Sequence, residues 1–372
     1  MKPIYCSNPY EENKNLKVEI ENKVLEVLRG GSYILADNVK YLEKDFSSFI
    51  GVPYSIAVAS GTDALSLSLK AMDIGINDEV ITVSHTAVAT VAAIEVTGAT
   101  PVLVDINRST FTIDVSKIEK AISIKTKAII AVHLYGHPVE ILKIKSICEK
   151  YNLNLIEDVS QAHGATIEKK FLGSIGDVGC FSCYPTKNLG ACGDAGLVTT
   201  KSYEIAKKIK LLREYGWIDR TSQIAGQNSR MDEIQAAILR IKLKELTKHN
   251  LERNKIANLY SANLKKTPLE LPVIKENCTH VFHQYVVKTK LRDDLKKYLE
   301  AKLIFAGIHY ALPVHKHPAY VNRLPISSNL NITESISSEI LSLPIYPGLQ
   351  EEECYRIINT IYSFFGLKNE NF

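Results

Sequence analysis

The sequence lacks the features that mark membrane proteins and nucleic-acid-binding proteins. Its most apolar stretch, residues 88–104, is interrupted by Glu95, Gly98 and Pro101, and the N-terminal region is polar, without the apolar core of a signal peptide. The 45 lysines and arginines are scattered or paired, form no basic stripe with interleaved aromatics, and leave a net charge of only +4. We therefore expect a cytoplasmic protein with no membrane or nucleic-acid partner.

The cysteines show neither a disulfide framework nor a metal site. There are seven, an odd number, and they lack the paired spacing of a zinc site, so we expect no metal. Cys180 and Cys183 do form a Cys-x-x-Cys pair, but they lie in an apolar, strand-like run, where residues three apart point to opposite faces. We interpret them as reduced core thiols.

The first two thirds of the chain alternate short apolar runs, typical of buried strands, with segments of helical periodicity. This alternation predicts an α/β fold with a mostly parallel sheet between two layers of helices. The predicted strands are 55–59, 80–83, 101–104, 128–133 and 153–157, and the predicted helices are 63–72, 86–96, 115–121 and 141–151.

The pattern changes after Gly226. Ser229 is placed to cap a long amphipathic helix, with Asp232 and Glu233 in its first turn. Beyond it, the chain suggests a smaller α+β domain. We expect a large domain over 1–248, whose N-terminal ~25 residues pack on the small domain, and a small domain over 249–372. In the latter, the sequence predicts a strand over 281–289 and helices over 293–301, 335–342 and 351–365.

Three segments place small or polar residues where predicted strands end, the edge at which ligands of such sheets bind. Residues 59–63 combine a Gly turn with a helix start, which suits a phosphate. Asp158 ends an apolar run. Lys187 follows among small and apolar residues, where a charged amine without a function would cost free energy. Taken singly, each has an ordinary explanation: a helix cap, a capping aspartate, or a surface-turn lysine. Together, in this order, they favour a shared site.

Asp158 and Lys187 form a pair of the kind that pyridoxal phosphate requires. The lysine would form a Schiff base with the cofactor aldehyde. The carboxylate would keep the pyridine nitrogen protonated, so that the ring can accept electrons. We therefore predict pyridoxal 5'-phosphate as the cofactor.

The motifs resemble those of the DegT/DnrJ/EryC1/StrS sugar aminotransferases, and the resemblance covers nearly the whole chain. This family uses pyridoxal phosphate on the aspartate aminotransferase fold (fold type I), which implies a seven-stranded sheet in the large domain. The matching segments are Gly31 to Leu35, Ser60 to Leu65, Glu157-Asp158 with Gln161 and His163-Gly164, Phe181-Ser182, Lys187 to Gly190, Gly193-Asp194, Asn228 to Ala237, and His309-Tyr310 with Pro313 and His315.

The resemblance also implies a role for each matching residue. Lys187 would be the Schiff-base lysine and proton shuttle, and Asp158 the partner of the ring nitrogen. Further cofactor contacts would come from Gly61, Thr62, Gln161 and Ser182, and from Asn228 of a partner subunit, which implies a homodimer with shared sites. The residues implied for the sugar-nucleotide cleft are Tyr33, His85, Tyr184, His309, Tyr310 and His315.

Some positions depart from the family pattern. Many members carry an aromatic residue that stacks on the cofactor where this chain has Ala87, and His85 either approaches the ring in its place or is a structural histidine. Cys183, Cys192 and Ala195 also differ, which should alter packing and leave the chemistry intact. One branch of the family replaces the lysine by histidine and dehydrates its substrate at C3. Lys187 excludes that branch.

The activity implied by the resemblance is transamination in two half-reactions. L-glutamate would give its amino group to the cofactor, and pyridoxamine 5'-phosphate would pass it to a nucleotide-linked keto sugar. Residues 84–90 look closest to enzymes that aminate a dTDP-linked 3-keto-6-deoxyhexose for surface polysaccharide or a glycosylated metabolite. Amination at C4 of a dTDP- or UDP-linked 4-keto-6-deoxy sugar is the near alternative.

Two other functions stay open at this point. An amino-acid enzyme that uses pyridoxal phosphate, such as a desulfurase or an acyltransferase, is the first. The C-terminal region has no obvious arginine to clamp an α-carboxylate, although Arg230 keeps the idea open. The second is a non-catalytic binding protein that retains the fold, which would carry no cofactor absorbance.

Overall fold

The computed structural model describes residues 2–327 and 329–368 of the 372-residue chain. Its strands are β1 Ile4–Tyr5, β2 Tyr54–Val58, β3 Glu79–Val83, β4 Thr100–Val104, β5 Thr126–Val132, β6 Asn154–Asp158, β7 Thr166–Ile167, β8 Lys170–Phe171, β9 Val178–Ser182, β10 Gly196–Thr200, β11 Trp217–Ile218, β12 Thr221–Ser222, β13 Tyr285–Lys288, β14 Ile304–Phe305 and β15 Ile340–Leu343.

The helices alternate with these strands through the first part of the chain and dominate its end. They are α1 Pro9–Asn13, α2 Lys17–Gly30, α3 Asp37–Ile50, α4 Gly61–Ala71, α5 Val88–Glu95, α6 Ile118–Ala121, α7 Ile141–Tyr151, α8 Tyr203–Leu212, α9 Glu233–Leu264, α10 Arg292–Ala301, α11 Asn331–Ser337 and α12 Glu351–Phe364. Across the described ranges, none of them has the length and apolarity to cross a bilayer, and no cluster of three or more His, Cys, Asp or Glu side chains could hold a metal ion.

Seven strands form the central sheet, in the order β2-β10-β9-β6-β5-β3-β4. β10 is antiparallel to both of its neighbours, and the other adjacent pairs are parallel. Helices α3, α4, α5, α7 and α8 pack against these strands. Because helices cover the sheet, its strands are buried almost throughout, which explains why they read as unbroken apolar runs. The predicted α/β fold with a mostly parallel, helix-flanked sheet is confirmed.

Two large hydrophobic cores divide the buried residues. The first lies around the central sheet, and the second gathers β13, β15, α10 and α12, with Ile4 of β1. The 32-residue helix α9 belongs to both, because Leu239 and Leu246 lie in the first core, whereas Ile256 and Leu264 lie in the second. The domain boundary between residues 248 and 249, which falls inside this helix, stays a prediction.

The start of α9 also fixes the start of α3. The Glu233 carboxylate accepts hydrogen bonds from the backbone N–H groups of Ala36, Asn38 and Val39 at 2.7, 2.7 and 3.0 Å. It thereby satisfies donors that the first turn of α3 leaves free, and its negative charge faces the positive end of that helix. Because Glu233 lies 197 positions after Ala36, no local sequence pattern predicts this cap.

The predicted capping role of Ser229 is wrong. Helix α9 begins at Glu233, with Asp232 in the N-cap position. Ser229 is buried and donates its hydroxyl to Asp63 Oδ2 at 2.9 Å, while its oxygen accepts from the Ala59 N–H at 3.2 Å. A serine near a helix start can bind any nearby orphan group, and here the tertiary contact prevails.

The helix predicted over 335–342 is also wrong in its second half. Helix α11 ends at Ser337, and Ile340 to Leu343 form a strand that pairs antiparallel with β13. Ile340, Leu341 and Leu343 are fully buried in this pair, so strand pairing and burial outweigh the local helical pattern. The strand predicted over 281–289 is real but is confined to Tyr285–Lys288.

Candidate active site

A cavity of about 260 Å³ opens where the parallel strands of the central sheet end. Seven of the residues predicted for the site line it, and six do not. The lining residues are Ser60, Gly61, Thr62, Leu65, Thr86, Ala87, Ala89, Thr90, Val132, His133, Asp158, Ser160, Gln161, Ser182, Tyr184, Lys187 and Asp194. The predicted residues outside this lining are Tyr33, His85, Asn228, His309, Tyr310 and His315.

One wall of the cavity is the N-terminus of helix α4. Ser60 is its N-cap, and the Ser60 hydroxyl accepts a hydrogen bond from the Asp63 N–H at 3.1 Å. Gly61 lies so close to β9 that an added Cβ would be 2.5 Å from the Cβ of Ser182. A glycine is therefore required for this approach, which leaves the first N–H groups of α4 beside the cavity. Such a helix start, with the Ser182 and Thr62 hydroxyls next to it, is suited to bind a phosphate.

Asp158 ends β6 and is almost completely buried, with 5% of its surface exposed. Its Oδ2 accepts a hydrogen bond from the Thr90 hydroxyl at 2.9 Å, and its Oδ1 accepts one from the Ser160 N–H at 3.2 Å. A buried carboxylate is costly unless hydrogen bonds or an opposite charge compensate it. The structure therefore holds Asp158 in place and stabilises its negative charge.

Lys187 lies on the same cavity. Burial lowers the pKa of its amine to about 8, although the negative charge of Asp158 acts in the opposite direction. The neutral fraction of the amine near neutral pH is therefore much larger than that of an ordinary lysine, which is almost fully protonated. A neutral amine can attack a carbonyl carbon and can also accept a proton.

The backbone that carries Lys187 is anchored by its neighbour Asn188. The buried Asn188 amide donates to Asn250 Oδ1 at 2.8 Å and to the Val281 carbonyl at 3.0 Å, and its Oδ1 lies 3.2 Å from His283 Nδ1. Because both amide protons are used, Oδ1 must accept, so His283 carries its proton on Nδ1. The lysine segment is thus tied to α9 and to the segment before β13.

Gln161 connects the cavity to two tyrosines. Its Oε1 accepts a hydrogen bond from the Tyr135 N–H at 2.7 Å, and its Nε2 donates to the Tyr310 hydroxyl at 3.1 Å. Burial raises the pKa of Tyr310 to about 12, so this phenol stays protonated at neutral pH. The second proton of Gln161 Nε2 is left for a group in the cavity. Tyr310 therefore orients Gln161 from behind the lining.

His85 lies beneath the cavity lining. It is fully buried, its Nε2 is 2.7 Å from the Tyr135 hydroxyl, and burial lowers its pKa to about 4. Tyr135 in turn donates its only hydroxyl proton to the His309 carbonyl, so the His85 Nε2 carries a proton. Ala87, and not His85, forms the cavity wall, which favours a structural role for this histidine.

His309 and His315 are also held from behind. Nδ1 of His309 lies 2.9 Å from the Ser342 hydroxyl, and burial together with the charge of Lys187 lowers the pKa of His309 to about 4. The two nitrogens of His315 contact Ser84 Oγ at 2.7 Å and Glu334 Oε1 at 3.0 Å. His309 is thus near Lys187, whereas His315 joins two chain segments. Their predicted contacts with a substrate stay predictions.

Three predicted residues are exposed. Tyr184 is 52% exposed and lines the mouth of the cavity, so it can meet a ligand that enters. Tyr33 is 49% exposed and donates to the Leu28 carbonyl at 3.1 Å. Asn228 lies on the surface, outside the cavity lining, and accepts a hydrogen bond from Arg230 Nε at 3.0 Å.

Sequence reasoning assigned no site role to five polar residues that line the cavity: Thr86, Thr90, His133, Ser160 and Asp194. The signal for the threonines is two hydroxyl residues four positions apart at a helix start that follows a strand. His133 is held by the buried carboxylate of Glu157, which lies 3.2 Å from its Nε2. This pairing joins the residue after β5 to β6, and no local sequence pattern indicates it.

Comparisons with known proteins agree with this geometry. Residues 14–362 match the model of the DegT/DnrJ/EryC1/StrS aminotransferase family. The chain is 43% identical over 350 residues to the dTDP-3-amino-3,6-dideoxy-alpha-D-galactopyranose transaminase of Aneurinibacillus thermoaerophilus, covering 94% of this chain and 96% of the relative. It is 39% identical over 347 residues to the UDP-N-acetyl-3-dehydro-alpha-D-glucosamine 3-aminotransferase of Acidithiobacillus ferrooxidans, covering 93% and 94%.

The fold is similar to that of a solved structure over nearly the whole chain. The crystal structure of DesV from Streptomyces venezuelae, in complex with a ketimine intermediate, superposes with a TM-score of 0.95. It is 36% identical in sequence, and the match covers 98% of this chain and 99% of DesV. The arrangement of the sheet and its helices is therefore that of a sugar aminotransferase.

The family depends on pyridoxal 5'-phosphate, and the cavity residues fit this cofactor. The close approach of Gly61 to Ser182, which a Cβ would prevent, leaves helix N–H groups for a phosphate. Lys187 offers an amine of lowered pKa, and Asp158 offers a buried carboxylate on the same cavity. These are the three kinds of group that the cofactor needs from its protein.

Proposed function

Because the chain belongs to the DegT/DnrJ/EryC1/StrS aminotransferase family, we propose that it transfers an amino group from L-glutamate to a dTDP-linked 3-keto-6-deoxyhexose. The observation that carries this proposal is the cavity that Lys187, Asp158 and the start of α4 line together. The names of the relatives support amination at C3. One of them names a dTDP sugar and another a UDP sugar, and a comparison of dTDP- and UDP-linked substrates tests the choice of dTDP.

The chain's own residues account for the acid and base chemistry. When bound, pyridoxal phosphate supplies an electron sink that stabilises negative charge on the substrate carbon. Lys187, with a pKa of about 8, would take the proton from that carbon and deliver it to C4′ of the cofactor, as the resemblance implies. Asp158, held by Thr90 and Ser160, places a carboxylate on the same cavity. Gly61, Thr62 and Ser182 would hold the phosphate, and Gln161 would contact the ring.

We propose a homodimer in which each copy completes the other's site. Asn228 does not reach the cavity of its own chain, since it lies on the surface beside Arg230. The neighbouring hairpin exposes Trp217 and Ile218, with 38% and 49% of their surfaces accessible, as expected of residues that a second copy would cover. A phosphate contact from Asn228 therefore requires a partner subunit.

Mixing two inactive variants tests the shared site. Lys187→Ala and Asn228→Ala chains would be unfolded, mixed and refolded together, because exchange between folded dimers can be slow. If the sites are shared, each mixed dimer contains one site with both residues intact, and part of the activity returns. If each chain uses its own Asn228, the mixture stays as inactive as the two variants.

The function itself is tested by the second half-reaction. Protein loaded with pyridoxamine phosphate would be offered 3-keto and 4-keto sugars carried by dTDP or UDP, and the return of the aldehyde form of the cofactor would be followed by absorbance. We expect the dTDP-linked 3-keto-6-deoxyhexose to react fastest. A faster reaction with a 4-keto sugar would move the proposal to C4. No reaction with any of them would contradict it.

Amino-acid panels separate the remaining alternatives. L-glutamate should convert the bound cofactor to its amine form more efficiently than other amino acids. A protein that turns over amino acids without a keto sugar would be an amino-acid enzyme, and a protein without cofactor absorbance would be a binding protein. The cytoplasmic location and a role in polysaccharide biosynthesis stay predictions.

A further inference from the structure

The hydroxyl groups of Thr86 and Thr90 form a short chain that ends on Asp158. Thr90 Oγ1 is 2.9 Å from Asp158 Oδ2, and Thr86 Oγ1 is 2.9 Å from Thr90 Oγ1. Both threonines line the cavity, yet they are only 3% and 1% exposed. This arrangement extends the support of Asp158 by one residue, Thr86, beyond its direct partner Thr90.

The direction of the hydrogen bonds in this chain follows from chemistry. An ionised carboxylate can only accept, so the single hydroxyl proton of Thr90 points to Asp158. The bond between the two threonines must then be donated by Thr86. Hydrogen bonds aligned in this way polarise one another, and the low polarity of the surroundings strengthens them. Thr86 therefore makes Thr90 a better donor to the carboxylate.

The first turn of α5 fixes the position of Thr90. This helix begins at Val88, and the Thr90 N–H donates to the Ala87 carbonyl at 3.1 Å. Val91 and Ile94 of the same helix are fully buried, so the helix cannot rotate without losing core contacts. The β-branched threonine side chain has few rotamers in a helix. The hydroxyl is thus held in one orientation.

A buried hydroxyl in a helix commonly binds the carbonyl four residues earlier. Ser68 in α4 does so, since its hydroxyl donates to the Ala64 carbonyl at 2.6 Å. The Thr90 hydroxyl instead leaves its own helix and binds a carboxylate on β6. Because α5 begins at Val88, the residue four positions before Thr90 lies outside the helix, and the Thr90 hydroxyl is available to bind Asp158.

We propose that Thr90, polarised by Thr86, is the positioning residue for Asp158. It fixes the plane of the carboxylate and stabilises its negative charge, and it leaves the remaining lone pairs to the cofactor ring nitrogen. Thr90 itself takes no part in the chemistry. The inference rests on the proposed role of Asp158 in cofactor binding.

The test compares variants that differ in one hydroxyl. Thr90→Val keeps the shape and removes the donor, Thr90→Ser keeps the donor, and Thr86→Val removes only the polarising bond. Thr82→Val is the matched control, because Thr82 is equally buried but donates to the Ile130 carbonyl at 3.2 Å, away from Asp158. The readouts are the dissociation constant of pyridoxal phosphate, the pH titration of the absorbance of the bound cofactor, and thermal unfolding of the cofactor-free protein.

We expect Thr90→Val to bind the cofactor about tenfold more weakly and Thr86→Val two- to threefold more weakly, since a bond to a charged group is worth more than a neutral one. Thr90→Val should also shift the pH titration, and Thr90→Ser should stay within about twofold of the wild type. Thr82→Val should lose thermal stability alone. If Thr90→Val does not fold, Thr86→Val and Thr90→Ser still decide the question.

Wild-type affinity and titration in Thr90→Val would overturn the inference, and so would a Thr90→Ser variant as impaired as Thr90→Val. If Thr90→Val does not fold, an unchanged Thr86→Val would also count against it. A wild-type protein that binds no pyridoxal phosphate would instead contradict the proposed function. The two failures are therefore distinguishable.

Discussion

Asp158 and Lys187 face the same cavity, but the protein treats their charges in opposite ways. Asp158 accepts hydrogen bonds on both oxygens, from Thr90 and from the Ser160 backbone, so its charge is compensated inside the protein. The surroundings of Lys187 lower the pKa of its amine to about 8 through burial. Hydrogen-bond donors thus stabilise the negative charge of Asp158, whereas burial disfavours the positively charged form of Lys187.

The histidines near Lys187 strengthen this difference. Burial lowers the pKa of His163 to about 3 and that of His309 to about 4, and the positive charge of Lys187 acts in the same direction. Burial also lowers the pKa of His283 well below its usual range. These imidazoles are neutral at physiological pH, so they neither repel the amine nor compete with it as acids. The site thus combines a carboxylate held by hydrogen bonds with a base that can gain or lose a proton.

The largest expected effect comes from removing the base. Lys187→Ala should lower turnover by at least about a thousandfold, because no other described lysine lines the cavity. It should also abolish the absorbance band of the lysine-bound cofactor, as well as the bleaching of that band by borohydride. Lys169→Ala, at an exposed position, is the control and should behave like the wild type. Residual turnover within tenfold of the wild type would show that Lys187 is not the base.

The next effect comes from removing the anion while keeping its shape. Asp158→Asn should lower kcat by about a hundredfold or more, because an amide cannot balance a positive ring nitrogen. A cofactor analogue methylated at the ring nitrogen carries a permanent positive charge and should restore part of the lost rate. Steady-state kinetics with both cofactors check this. Equal rates for Asp158→Asn and wild type would remove Asp158 from its proposed role.

Loosening the anchor of Lys187 should cost stability first. Asn188→Ala removes the hydrogen bonds to Asn250, Val281 and His283 and should lower the free energy of unfolding by about 3 kcal/mol. Denaturant unfolding measures this loss. Asn254→Ala is the matched control, since that amide also donates twice, to the Asn250 and His280 carbonyls at 2.9 and 3.0 Å.

Only the Asn188 variant should change the reactivity of Lys187. If Asn254→Ala changes it equally, or if Asn188→Ala leaves it unchanged, the anchor has no special relation to the lysine.

The smallest effect is a shift along the pH axis. The rate at which cofactor-free protein captures pyridoxal phosphate should rise up to about pH 8 and then level, because only the neutral amine of Lys187 attacks the aldehyde. The charge of Asp158 raises the pKa of Lys187, so Asp158→Asn should move the levelling point to lower pH. Stopped-flow absorbance measures both profiles. If the capture rate of Asp158→Asn levelled at a higher pH than that of the wild type, the charge of Asp158 would not raise the pKa of Lys187, and the comparison of the two residues would be wrong.

Local sequence patterns were enough to predict some parts of this site. The ends of two strands were predicted, one before Gly61 and one at Asp158, from the apolar runs that precede these residues. Strands buried on both faces have continuous apolar sequences. The family motifs then implied the roles of Lys187 and Gln161. Both of these residues line the cavity in the structure.

The contacts between segments distant in the chain could not be predicted in this way. Thr90 reaches Asp158 across 68 positions, and His315 reaches Ser84 across 231. Neither bond leaves a periodic trace, since each depends on where two elements meet in space. Ser229 is a third example, because the sequence predicted a helix cap, whereas its hydroxyl binds Asp63, 166 positions away.

The continuous helix α9 limits how the molecule can open and close. Its first half packs in the core around the central sheet and its second half in the other core. A rotation of one core relative to the other would have to bend or twist this 32-residue rod, which breaks backbone hydrogen bonds. We therefore expect entry and exit of substrates to be gated by loops at the cavity mouth, such as the one that carries the exposed Tyr184, while the two cores move as one body.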